Sequence, residues 1–234
     1  MNRTFQIEKK DKFNTFVIAL LANLFFCYCI ISALALILFS CVTIECEVSG
    51  PSMQPTFNYP VLANTDTVYV NVYDKSYQYG DIIVVSVDDN ERAIIKRVVG
   101  LPGDILDIVE VNGEYFLERN GEVIVEDYIL YDNSISVPLS YKNGMYNTRA
   151  RFNDMLDQHT EDVRDGKYVV PSHSVFALGD NRGKSQDSSY YGAFPYDNIQ
   201  GVVELVQKHG VSKWDFYSSY IIQGKFFRTI KNMF

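Results

Sequence analysis

The stretch "AIIKRVV", Ala93 to Val99, decides how this chain is read. It is short, rich in β-branched residues and bounded by turn-forming neighbours, which are strand signals. Side chains alternate along a strand, so Ile94, Lys96 and Val98 share one face while Ile95, Arg97 and Val99 share the other. Lys96 is thus a cation with two aliphatic neighbours. A strand lysine usually reaches solvent along its own stem. Buried in apolar surroundings instead, it loses basicity from ~10.4 and becomes a proton acceptor near neutral pH.

Strand signals continue on both sides, in "DTVYVNVY" (Asp66 to Tyr73), "GDIIVVSV" (Gly80 to Val87) and "HSVFALGD" (His173 to Asp180). Asn112-Gly113 and Asn120-Gly121 lie between β-rich runs and predict two hairpin turns. No long helical period competes with them, so the class is mainly β. Residues 131–165 loosen into a polar excursion, read as a surface cap with one short helix near Phe152 to Val163. The C-terminal "KWDFYSSYIIQGKFFRTIKNMF" fits a membrane-surface segment and a docked terminal element equally well.

Toward the N-terminus, no charged residue occurs between Lys12 and Glu45. Such a run exceeds the ~20 residues that span a bilayer. It also exceeds the ~7–15-residue apolar core of a cleaved signal peptide. The expected organisation is a cytoplasmic tail at 1–15, a transmembrane helix at 16–44 and an extracytoplasmic β-rich domain at 45–234. The tail carries Arg3, Lys9, Lys10 and Lys12 against Glu8 and Asp11, which by the positive-inside rule places it in the cytoplasm.

The 234 residues suffice for one core-bearing domain and a small appendage. A net charge of -8 argues against nucleic acid as a partner. Cys27, Cys29, Cys41 and Cys46 all lie in or beside the apolar run, so no disulfide framework or cysteine-based zinc site can be drawn for the main domain. None of His159, His173 and His209 sits in a motif-like setting, and a Ser-His-Asp arrangement is unsupported.

Three blocks follow the apolar run in order: "SGPSMQPT" at Ser49 to Thr56, "IIKRVVGLPGD" at Ile94 to Asp104, and "GDNRGKSQDS" at Gly179 to Ser188. Together they resemble the type I signal peptidases, membrane-anchored serine proteases that remove signal peptides from exported proteins. The resemblance covers the apolar run and most of the outer domain. It implies antiparallel sheets of the signal-peptidase and repressor type, with a small cap insertion, on the extracytoplasmic side of the plasma membrane. It implies Ser52 as nucleophile and Lys96 as general base, with Ser185 positioning the lysine amine and Asp187 shaping the same wall. Gly50, two residues before the nucleophile, stands where the family places an oxyanion donor, and here only its main chain is available.

Val48, Met53, Phe57, Ile94 and Ile95 match positions near the family's substrate pockets, though each reads equally as ordinary β-domain core. After Asp187-Ser188 the family pattern often has Arg, expected to pair with the Asp, whereas this chain has Ser189. Arg182 is the neighbouring cation that stands in, or the site is less rigid. The implied reaction cleaves after small residues at Ala-x-Ala sites and needs no metal or organic cofactor. Implied partners are exported pre-proteins with signal peptides, membrane lipid and, by proximity, the secretion translocon.

Three other readings fit parts of this pattern. Self-cleaving repressors of the DNA-damage response share the Ser-Lys logic, but a membrane span takes the place of their DNA-binding domain. An inactive assembly factor is countered by the presence of both Ser52 and Lys96. A processing enzyme dedicated to one surface protein, such as a pilus component, is not separable by sequence from a general peptidase.

Overall fold

A computed structural model describes residues 2–58, 65–87, 92–126, 128–129 and 139–212. The chain divides into two compact units at the Val42–Thr43 boundary. The C-terminal segment from residue 213 onward and residues 131–138 of the excursion lie outside the described residues.

The first unit contains helix α1, Asn2–Val42. Its stretch Asn14–Val42 is long and apolar enough to cross a membrane, with a mean hydropathy of 2.5. The helix starts earlier than the expected residue 16, through a segment whose Gln6, Glu8, Lys9, Lys10 and Lys12 are good helix formers. It also stops short of residue 44. Thr43 and Ile44 are β-branched and already belong to strand β1, Thr43–Glu47, which pairs with β2, Thr67–Asn71.

The second unit is antiparallel β, as its strand signals predict. The further strands are β3 (Ile82–Ser86), β4 (Ala93–Gly100), β5 (Ile105–Val111), β6 (Glu114–Arg119), β7 (Glu122–Val123), β8 (Val163–Arg164), β9 (Lys167–Val169), β10 (Ser174–Leu178), β11 (Phe194–Pro195) and β12 (Ile199–Gln207). One sheet has the order β1-β2-β12-β3-β4-β10-β11, and the other runs β7-β6-β5-β9-β8. Both Asn-Gly pairs turn hairpins, β5 to β6 and β6 to β7, with Asn112 and Asn120 at φ 54° and 55°. Asparagine and glycine tolerate that left-handed backbone, so the turns form without strain.

Strand β10 is buried on both faces and divides the interior. Val175 and Ala177 join Ile83, Val85, Val98 and Ile199 in one cluster, while Phe176 and Leu178 join Leu106, Ile108, Leu117 and Tyr168 in another. That second cluster also receives Met145, Phe152 and Met155 from helix α2, Leu139–Gln158. The helix is longer and begins earlier than the short one expected near Phe152 to Val163, where residues Thr160–Asp162 form only a single 3₁₀ turn. One side of it is core, because Met145, Thr148, Phe152 and Met155 recur at helical spacing and all are buried.

Candidate active site

Three segments converge on Ser52. The loop following β1 carries the serine, β4 carries Lys96, and the turn after β10 supplies Gly179 to Asp187.

The loop is fastened at both ends. Val48 donates its N–H to the Asp66 carbonyl (2.9 Å), Asn58 Nδ2 donates to the Val48 carbonyl (2.7 Å), and Asn58 and Asp66 exchange side-chain to main-chain bonds at 2.8 and 2.9 Å. In its middle, the Ser52 carbonyl accepts the Asn181 N–H at 2.9 Å. That bond ties the loop to the third segment. Gly179 makes the approach possible: a Cβ there would lie 2.2 Å from Ser185 Oγ and 2.6 Å from the Ser52 carbonyl oxygen. No side chain larger than hydrogen fits between them.

Lys96 is 2% exposed, and its Nζ lies 3.0 Å from Ser52 Oγ and donates to the Ile95 carbonyl at 2.7 Å. Burial pulls its pKa from 10.5 to about 8, against the opposing pull of the Asp187 and Asp180 carboxylates. The amine is therefore uncharged in about a tenth of molecules at pH 7 and in most of them above pH 8. Gly50 adopts φ +82°, a conformation that glycine takes at no cost, and it is exposed at the lip of the loop.

Ser185 and Asp187 are both buried beside these groups. Among the described residues Ser185 Oγ has no hydrogen-bond partner, so it stands near Ser52 by packing against Gly179 and makes no bond to Lys96. Asp187 accepts the Gly179 N–H (2.9 Å), the Ser189 N–H (3.1 Å) and the Ser189 hydroxyl (2.7 Å). Serine at 189 thus satisfies the carboxylate directly. Arg182 does not stand in as its partner: its Nη2 pairs with the buried Glu126 at 2.6 Å and its Nε donates to the Gly179 carbonyl at 3.1 Å.

Sequence reasoning missed the second ion pair of the site. Arg97 Nε and Nη2 grip Asp180 at 2.9 and 2.7 Å, Thr56 Oγ1 bonds the same carboxylate, and the guanidinium lies over the Tyr128 ring at 4.0 Å. The hydrogen bonds that Arg97 donates to Asp180 hold the guanidinium more firmly cationic despite its burial. Asp180 and Arg97 stood inside the quoted blocks. Their pairing over 83 positions did not.

Of the positions near the implied pockets, Val48, Met53 and Phe57 are core residues of one cluster, with Ile95 packed against it. Ile94 packs against a different cluster. The histidines are engaged elsewhere: His173 meets Tyr196 edge-on, the His209 N–H donates to Asp66 (2.9 Å), and the His159 ring lies against Gly192. His159, Glu161 and Asp162 bring ligand atoms within 4.8 Å of one another, with Glu161 exposed, the usual condition of surface acidic groups.

A family model described as signal peptidase, peptidase S26, matches residues 21–207. The chain belongs to this family of serine peptidases. Signal peptidase I S of Bacillus subtilis (strain 168) is 31% identical over 187 residues, covering 79% of this chain and 82% of that protein. Signal peptidase I of Bacillus caldolyticus is 31% identical over 189 residues, covering 77% and 86%. A solved signal peptidase I from Enterococcus faecalis V583 shares 22% identity at a TM-score of 0.33, over 54% of this chain and 96% of that one.

Proposed function

We propose that the chain is a membrane-anchored endopeptidase that removes N-terminal signal peptides from exported pre-proteins, with Ser52 and Lys96 as its catalytic dyad. The observation that carries this reading is the 3.0 Å approach of a buried, weakened lysine base to a serine hydroxyl.

Neutral Lys96 accepts the Ser52 proton as Oγ attacks the carbonyl that follows a small residue. The negative charge that develops on that oxygen is met by the main-chain N–H groups of Ser52 and Gly50, a role consistent with the open lip of the loop. The lysinium then protonates the leaving amine, releasing the mature protein. Water gives a proton to the same amine as it attacks the ester carbonyl, and the lysinium passes that proton to Ser52 Oγ as the bond breaks, which restores the hydroxyl and the neutral amine and frees the signal peptide.

Gly179 and Asp187 hold the turn against the nucleophile, and Ser185 fills the wall beside it. Ile94 and Ile95, half-buried at the edge of the site, are better placed to meet a small substrate side chain than Val48, Met53 and Phe57, which the core covers. Helix α1 serves as a single-pass anchor with its N-terminus in the cytoplasm. It keeps the serine near the membrane face where a translocated pre-protein presents its cleavage site, beside the translocon.

The test is cleavage of a pre-protein with an Ala-x-Ala site by the detergent-solubilised enzyme, with Ser52→Ala and Lys96→Ala alongside. Both variants are expected to lose activity by at least ~10³-fold, the order seen when a nucleophile or its base is removed. Wild-type rates in either variant would refute the dyad.

A further inference from the structure

Two carboxylates act on the lysine of the dyad, and they are balanced in different ways. Asp180 is paired directly, by both arms of Arg97. Asp187 is fully buried, yet its three partners are all neutral donors: the Gly179 N–H, the Ser189 N–H and the Ser189 hydroxyl. Among the described residues no cation lies within 4.0 Å of it. A buried carboxylate without a counter-charge is costly. It also favours the charged form of any nearby amine, and the amine it faces is Lys96.

Helix α2 delivers a cation to this spot. Arg151 is half-buried, and its Nη2 donates to the Arg182 carbonyl (2.8 Å) and to Thr148 Oγ1 (3.1 Å), both in the same packed corner. Those two bonds orient its Nε toward Ser189 Oγ at 3.4 Å. A guanidinium only donates and a carboxylate only accepts, so the hydroxyl has one available sense. It takes a proton contact from Arg151 and gives its own to Asp187. Arg182, the other arginine nearby, is committed to Glu126.

We propose that Arg151 is a positioning residue of the active site, which balances the buried Asp187 carboxylate through the Ser189 hydroxyl and so helps to keep the Lys96 amine uncharged. The helix within the polar excursion is then part of the catalytic apparatus. It is more than a cover on the sheet. The inference rests on the reading of Lys96 as the general base. Among the described residues, the charged groups facing this centre are Asp187 and Asp180 from the turn after β10, Arg97 from β4, Arg151 from α2, and the Arg182–Glu126 pair.

The experiment measures kcat/KM for pre-protein cleavage from pH 6 to 10 in full-length Arg151→Gln, Ser189→Ala, their double variant and Arg151→Lys, with thermal unfolding recorded for each. Breaking the relay at either residue leaves Asp187 a stronger pull on the lysine proton. The acid limb of the profile is therefore expected to move to higher pH by about half a unit, the size of one partly screened charge. The deficit should be largest near neutral pH and fade above pH 9. Because the two residues act in series, the double variant should shift no further than the larger single one. Arg151→Lys, which keeps the charge, should recover part of the shift.

A merely structural role would lower the rate at every pH without moving the limb, and that outcome overturns the proposal. Should Arg151→Gln fail to fold, Ser189→Ala decides alone: a wild-type acid limb refutes the relay. Lys96→Ala in the same series separates the two readings. An inactive Lys96→Ala beside unshifted relay variants defeats this inference only, whereas an active one defeats the dyad and the relay together.

Discussion

At the scale of the residue, Lys96 is a cation-forming group held where a cation is unwelcome. Its folded pKa of about 8 lies below the ordinary 10.5, so the folded state binds its proton more weakly than the unfolded chain does. Below pH 8 both states are protonated, and the fold carries the whole cost of burying the charge. Between pH 8 and 10.5 the folded state sheds the proton first, and stability recovers as pH rises. The shift corresponds to roughly 3 kcal/mol at most. Lys96→Met, similar in length and without charge, is therefore expected to be catalytically dead yet more stable than wild type. Denaturant unfolding at pH 6.5 should show the gain, and it should disappear near pH 10.5. A variant less stable at pH 6.5 would show that the amine contributes more by hydrogen bonding than it costs by burial.

At the scale of the element, legibility depended on whether a signal is local. Strand β4 and the two Asn-Gly hairpins were readable because alternation and turn chemistry act within a few positions. Ser52 and Lys96 were readable as types in their blocks. Helix α2 was not read at its full length. Its apolar residues are sparse, Gly144 weakens its helix propensity, and among the described residues Met145, Phe152, Met155 and the partly buried Leu156 form the apolar part of the inner stripe. The pairs Arg97–Asp180, Arg182–Glu126 and Arg151–Ser189 span 83, 56 and 38 positions, so no sequence period encodes them. Phe152 meets Phe176 of β10 edge-on at 6.0 Å and is fully buried. Phe152→Ala is expected to cost about 3–5 kcal/mol, read from the denaturation midpoint. A loss below 1 kcal/mol would show that α2 is only a cover.

At the scale of the whole molecule, the weakened base belongs to no single segment. Ser52, Lys96, Gly179 and Asp187 come from three parts of the chain, and the burial that depresses Lys96 exists only when the β1 loop, β4 and the turn after β10 are assembled. The seven-stranded sheet, whose strands β1, β4 and β10 lead into or carry these segments, brings them together. Substrate cleavage should accordingly report the titration of one group created by the fold. The most direct test is the pH dependence of kcat/KM for an Ala-x-Ala pre-protein, measured with the full-length enzyme in lipid vesicles. The rate is expected to fall about tenfold per pH unit below a midpoint near 8, as protonated Lys96 ceases to accept the Ser52 proton. A rate that stays level down to pH 5 in a folded enzyme would contradict lysine as the base.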